Sequence, residues 1–317
     1  MKSGRENFTD GEIDILDLFR KIWSEKIIVL SVTAVFCLFA LTYSLSLPNL
    51  YVSKSLLYPN ENTSNSTSSF GQYSSLAGLA GISLPPAAPN KTKESIEILK
   101  SLEFFKKSIL PNIFLPDLLA VKSWNPQLDK LEYDNSIYDE KSAKWTRKNL
   151  DSNTSMPSVQ ESFEVFSEHF NLAEDISTGF ITLSIKHQSP HIAEAWLNSI
   201  IYLINSTRRL EDKLKIESNI DYLNTQLSST NYAEIKSGLS ELLQSKIKAL
   251  MMINSETEYV FKVIDPPYIP EKKSEPRRFL IIMSGIFFGF LFGSSSVLLG
   301  LSKIVRRKFS NLAKDRI

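Results

Sequence analysis

Apolar residues are spread unevenly over the 317 positions of this chain. Two runs carry no charge at all: residues 27–47, IIVLSVTAVFCLFALTYSLSL, and residues 279–302, FLIIMSGIFFGFLFGSSSVLLGLS. As helices rising about 1.5 Å per residue, each reaches roughly 30 Å, the thickness of a hydrocarbon core. A soluble core helix of that length would show a polar face, and neither run has one, so both are predicted to span a membrane. Before the first run stand 26 mostly polar residues with six acids and five bases, and no small-x-small cleavage site follows before Pro48. The run therefore reads as a retained anchor and not as a signal peptide.

Between the two spans the pattern changes element by element. Residues 50–58, LYVSKSLLY, are bounded by Pro48 and Pro59 and read as a strand. Residues 60–90 are Ser/Asn-rich, then small, then broken by Pro85, Pro86 and Pro89, which is loop composition. The small apolar patch at 75–82 inside it is either tucked onto the domain or a contact between subunits. Apolar spacing at Ile96, Leu99, Leu102, Phe105 and Ile109 predicts one amphipathic helix over 92–109. Residues 111–160 mix polarity and carry Pro111, Pro116, Pro126 and Pro157, and no single element stands out. A short helix is expected at 162–170 and a half-buried strand at 178–186, where Ile181, Leu183 and Ile185 alternate with Thr182, Ser184 and Lys186.

Ser189-Pro190 then suits a helix cap and first turn. Trp196, Ile200, Leu203, Leu210 and Leu214 follow at helical spacing, and the stripe shifts phase to Ile216, Ile220, Leu223 and Leu227. Residues 228–231, SSTN, turn the chain, and Ile235, Leu239, Leu243, Ile247 and Leu250 mark a returning helix. A helical hairpin is therefore predicted over about 190–254. Its narrow stripes bury little within one chain, which makes Leu203, Leu210, Leu214, Leu223 and Leu227 candidates for contacts with neighbouring subunits. A strand at 258–264 precedes Pro266, Pro267, Pro270 and Pro276, which predict a stiff extended connector over 265–278.

Charge adds topology. Arg20, Lys21 and Lys26 precede the first span, and Lys303, Arg306, Arg307, Lys308, Lys314 and Arg316 follow the second. Lys272, Lys273, Arg277 and Arg278 crowd the second span's other side, so the first span decides. The expectation is a cytoplasmic tail at 1–26, an outer domain of α+β class at 48–278 and a basic cytoplasmic tail at 303–317. The net charge of +1 and the 22% of charged residues give no sign of a nucleic-acid binder.

The search for chemistry returns little. The single cysteine, Cys37, lies in the first span and excludes an intramolecular disulfide. Phosphate-loop, dinucleotide, nucleophile-elbow and HExxH motifs are absent. His187 and His191 are four apart, but Pro190 at a strand-to-helix junction spoils the geometry for a shared metal, and both read as surface or junction histidines. Arg208 and Arg209, followed by Glu211 and Asp212, read as a solvated helix face, with a contact to an anionic glycan as the sharper alternative. Gly285, Gly289 and Gly293 form a GxxxGxxxG stripe, which lets membrane helices approach closely and predicts packing with another copy or a partner helix. No catalytic residue, cofactor or metal is expected.

The layout and several local stretches resemble the Wzz chain-length determinants, a class of polysaccharide co-polymerases that set O-antigen length in Gram-negative bacteria. The stretches are IDILDL at 13–18, LAGLAGI at 76–82, Tyr138-Asp139-Glu140-Lys141 with Trp145, His187-Gln188-Ser189-Pro190 with Ala193 and Trp196, Val263-Ile264-Asp265-Pro266, and Pro-Arg-Arg at 276–278. The resemblance implies a bacterial inner-membrane protein whose periplasmic base of sheet and helices is topped by the hairpin. It further implies a bell-shaped homo-oligomer working beside a Wzy-type polymerase on lipopolysaccharide O-antigen or a related glycan, without catalysis, with the growing glycan as a further contact. Two other classes compete. A two-helix membrane sensor would carry a cytoplasmic signalling module, for which the 15 residues after the second span leave no room. An envelope enzyme would need a catalytic constellation.

Overall fold

The computed structural model describes residues 22–60, 91–147 and 155–299. The stretches at 13–18 and 76–82, the prolines at 85, 86 and 89 and the basic tail at 303–317 lie outside the described residues. In chain order the elements are helix α1 (Lys26–Ser46), strand β1 (Tyr51–Pro59), helices α2 (Lys91–Leu99) and α3 (Leu115–Leu119), and strands β2 (Val121–Asn125), β3 (Lys130–Tyr133), β4 (Tyr138–Asp139) and β5 (Lys144–Trp145). Helix α4 (Val159–His169), strands β6 (Phe170–Glu174) and β7 (Ile181–His187), helices α5 (Pro190–Ser229) and α6 (Ala233–Ser255), strand β8 (Phe261–Asp265) and helix α7 (Arg278–Leu298) complete it. They form two compact units, one of Met1–Pro48 with Glu275–Ile317 and one of Asn49–Ser274.

The first unit pairs α1 with α7. Both are long and apolar enough to cross a membrane, and most of each stays uncovered by the rest of the chain. Phe39 and Phe279 are each more than 70% exposed. Water would not tolerate that apolar surface, and lipid does. Several hydroxyls in these helices are satisfied locally: Ser31 donates to the Ile27 carbonyl at 2.8 Å and Thr33 to the Val29 carbonyl at 2.8 Å. Such back-bonding lets serine and threonine sit in hydrocarbon without an orphan donor.

In the second unit a four-stranded antiparallel sheet runs in the order β6-β7-β1-β8. β7 lies inside it, and Ile181, Leu183 and Ile185 are fully buried. β1 pairs with it in the register Ser53↔Ile185 and Ser55↔Leu183. The first half of α5 crosses β1 and β7, placing Leu197, Ile200 and Ile204 in the core. Ser189 caps this helix, its hydroxyl accepting from the Ile192 N–H at 3.5 Å, and Pro190 occupies the first turn. α4 closes the core with Phe166, which meets Phe105 at 5.1 Å between ring centroids.

The sequence expectations need correction in four places. The helix expected over 92–109 is broken. α2 ends at Leu99, and extended Ser101 starts a new turn, its hydroxyl accepting from the Phe104 N–H at 3.2 Å. A π-helical turn over Phe105–Ile109 and a 3₁₀ turn at Pro111 follow, and Phe104, Phe105 and Ile109 are all buried. Strands β7 and β8 begin later than the alternation suggested, because Asp175 closes a turn through the Ser177 N–H and residues 258–260 are held by side-chain bonds described below. The α4 helix begins at Ser158, whose hydroxyl caps the Glu161 N–H at 3.1 Å. The stretch 111–160 contains α3 and two small hairpins, β2–β3 and β4–β5, the second bringing Tyr138 opposite Trp145.

Candidate functional site

Helix α5 and helix α6 form the hairpin, and it changes character along its length. Below residue 209 the face of α5 turned to the sheet is buried through Ala193, Trp196, Leu197, Ile200, Ile201, Ile204, Asn205 and Arg208. Above it only Leu223 is buried. Of the candidate contact residues, Leu203 is partly buried against the core, Leu227 is half-buried, and Leu210 and Leu214 are 57% and 58% exposed. Tyr222, Ile235 and Met251 add exposed apolar surface on the two arms.

The point where the helix leaves the core is polar, and sequence reasoning missed it. Asn205 is buried; its amide donates to the Phe261 carbonyl at 3.0 Å and its oxygen accepts from the Val260 and Phe261 N–H groups at 2.8 and 2.9 Å. One turn on, Arg208 is 8% exposed and pairs with Glu94 at 3.1 Å and Glu211 at 2.8 Å. Arg209 donates to the Glu256 carbonyl at 3.1 Å. The Arg208–Arg209 pair is therefore no solvated face, because both guanidinium groups are committed to the fold. Asp212 accepts from the Tyr259 hydroxyl at 2.6 Å and from Lys91 at 2.9 Å. Burial alone would raise the Asp212 carboxyl, but these two donors outweigh it and hold the pKa below the ordinary value. The same burial, with the carboxylate beside it, pushes the Tyr259 phenol up.

The connector after β8 is not free. Ser53 and Ser55, both buried on β1, donate to the carbonyls of Tyr268 at 2.8 Å and Asp265 at 2.7 Å. The Ser274 N–H then bonds the Leu50 carbonyl at 2.8 Å. Pro266, Pro267 and Pro270 have no N–H with which to extend the strand ladder, so side-chain hydroxyls of β1 take over that bonding. Pro270 is buried, Pro267 and Pro276 half-buried and Pro266 exposed.

The glycine stripe faces α1 of the same chain. A Cβ on Gly285 would come within 2.5 Å of the Ala40 Cβ, one on Gly289 within 2.8 Å of the Thr33 Cα, and one on Gly293 within 3.1 Å of the Val29 Cα. Val29, Thr33, Phe36 and Ala40 thus form the ridge that the stripe receives. Cys37 is partly buried.

The histidines separate. His191 is exposed, with Asp129 3.8 Å away. His187 is buried: its Nδ1 accepts from the Ser189 N–H at 2.9 Å, its Nε2 donates to the Asp117 carbonyl at 2.9 Å, and its ring meets Trp196 at 5.0 Å. That pattern fixes the neutral Nε2–H tautomer. Burial lowers its pKa to about 4. Among the described residues no group of three or more His, Cys, Asp or Glu side chains is placed to hold a metal ion.

Comparison with known proteins bears on the family. The family Wzz, chain length determinant protein, matches residues 11–109. No curated protein matches. Among solved structures, a full-length bacterial polysaccharide co-polymerase aligns over 92% of this chain and 99% of its own, at 12% identity and a TM-score of 0.39. A fragment of WzzB, a polysaccharide co-polymerase from Salmonella Typhimurium, aligns over 72% of this chain and 100% of its own, at 12% identity and a TM-score of 0.31. The match to the chain length determinant proteins covers the amino-terminal third of the chain, and it is that third which is similar to the Wzz family.

Proposed function

We propose that this protein is a non-catalytic regulator of the chain length of a surface polysaccharide, lipopolysaccharide O-antigen or a related glycan. The observation that carries the reading is the family match over residues 11–109. The two membrane-spanning helices agree with it, as does the hairpin, whose exposed Leu210 and Leu214 suit a homo-oligomer. In this reading the chain sits in the bacterial inner membrane with both termini in the cytoplasm and residues 48–278 in the periplasm. It acts as an oligomeric scaffold beside a Wzy-type polymerase and meets the growing glycan. Arg208 is not available for that meeting, because it is buried in ion pairs. The glycine stripe holds each protomer's two membrane helices together, and the connector joins the base to the second of them.

The test is deletion of the gene followed by a silver-stained gel of cell-surface lipopolysaccharide. Long polymer should remain, with its modal length randomised. Loss of all long polymer, or an unchanged ladder, would overturn the reading.

A further inference from the structure

We propose that the polar cluster where α5 leaves the core is a positioning joint: it sets the angle at which the hairpin leaves the base, and through that angle the modal length of the polymer. The second half rests on the function proposed above; the first does not.

Asn205, Arg208 and Asp212 are spaced by three and four, so they share one face of α5. That face is apolar through Leu197, Ile200 and Ile204 and turns polar over the next two turns. Between them the three residues hold two other parts of the chain, α2 and the backbone around the start of β8. Asn205 holds the backbone entering β8, Arg208 holds Glu94 of α2, and Asp212 holds both Lys91 of α2 and Tyr259. Arg209 adds the carbonyl of Glu256, at the end of α6. Both arms of the hairpin and α2 are thus tied within about two helical turns.

Apolar contacts would cover this face as well, but they are non-directional and allow a helix to slide or tilt. Ion pairs and hydrogen bonds permit only a narrow geometry. Buried ion pairs add little net stability, because desolvation offsets their attraction, and their best-attested use is to specify one arrangement over others. This is the place where such specification has the greatest reach. From Asp212 to the end of α5 is roughly 25 Å, so a tilt of about ten degrees at the joint moves the tip by about 4 Å. The apolar stripe that passes Leu210 and Leu214 begins here, so the same tilt re-aims the surface a neighbouring subunit would meet.

The experiment uses the full chain in a Cys37→Ser background, with spin labels at Glu168→Cys on α4 and Asn231→Cys at the tip, diluted with unlabelled protein in membranes. Asp212→Lys opposes two ammonium groups to each other, and Lys91→Asp opposes two carboxylates. Each single reversal should shift or broaden the base-to-tip distance and displace the modal band. The double reversal should restore both, which a merely destabilising pair of changes would not do. If a reversal fails to fold, Lys91→Met with Tyr259→Phe removes both donors without adding charge and should shift both readouts in the same direction. Wild-type distances in the folded single variants would overturn the joint, as would a double reversal that rescues nothing. Altered distances with a wild-type ladder, in a strain where gene deletion does randomise length, would overturn its link to polymer length. A deletion that leaves the ladder unchanged strikes the proposed function instead, and the distances still decide the joint.

Discussion

Helix α5 is a single run of 40 residues, Pro190–Ser229, whose two halves live in different surroundings. The lower half lies on the sheet and buries residues on adjacent faces, Leu197 and Ile201 as well as Ile200 and Ile204. The upper half has the narrower stripe and leaves Leu210 and Leu214 more than half exposed. The same residue type therefore does different work at Leu197 and, further along the helix, at Leu210 and Leu214. Below the polar joint Leu197 builds the core; above it Leu223 is still covered, but Leu210 and Leu214 are presented outward, where another protein surface could cover them. Most stability in a helix comes from packing of its apolar face and not from its propensity, so the lower half should be the stable one in a single chain.

The largest expected effect separates the halves by stability. In the isolated Asn49–Ser274 unit, which should fold and associate weakly, Leu197→Ala should cost about 2–5 kcal/mol, as truncation of a fully buried leucine does. Leu214→Ala should stay within about 0.5 kcal/mol. Urea unfolding followed by circular dichroism measures both, and equal losses would erase the distinction.

Acid should act on the lower half. His187 sits at its start, with a pKa lowered from 6.5 to about 4. The unfolded chain binds a proton below pH 6.5 and the folded chain does not until about pH 4, so stability is present above that window and is lost as pH falls through it. The loss approaches about 3 kcal/mol from this group alone. Two other groups bear on it: His169, whose charge adds to the depression, and Asp117, whose carboxyl is raised by burial against the lowering bond from Tyr133. The His187→Gln variant should flatten the slope between pH 6.5 and pH 4. An unchanged slope would assign the acid sensitivity elsewhere.

A smaller effect is expected in the membrane unit. Gly289→Leu puts a bulky side chain where Thr33 and Phe36 already lie within 3 Å of a Cβ, so the two membrane helices must separate. The protein should stay in the membrane, because leucine keeps the helix apolar, while the modal polymer length shifts. Phe288→Leu, at an exposed position, should leave the ladder as it is. Identical ladders for both variants would make the stripe ordinary membrane-helix composition.

Much of this architecture was legible in the sequence, and the failures have physical causes. The two spans were legible because a run of more than twenty residues without a charge suits a hydrocarbon core and little else. β7 showed itself by strict alternation, and α5 by its Ser-Pro start and its helical spacing. The break at Ser101 was hidden, because serine between apolar residues fits a helix interior by pattern and a cap by chemistry. The strands of 111–160, two to five residues long, are too short for alternation to register. Arg208 looked solvated because its partner Glu94 is more than a hundred positions away, and a distant counter-charge leaves no local pattern. The glycine stripe was visible, but its partner was not: spacing identifies a face for close packing, and only the structure puts Val29, Thr33 and Ala40 of the same chain against it.

In the function proposed above, the exposed Leu210 and Leu214 of the upper half serve contacts with neighbouring copies and not the fold of their own chain. Leu210→Asp with Leu214→Asp tests it most directly. The measurement is the mass of the full-length protein in detergent by light scattering, read beside the urea midpoint of the Asn49–Ser274 unit carrying the same changes. A smaller assembly with the midpoint unchanged is expected. A wild-type assembly mass, or a midpoint that falls as far as it does for Leu197→Ala, would contradict it.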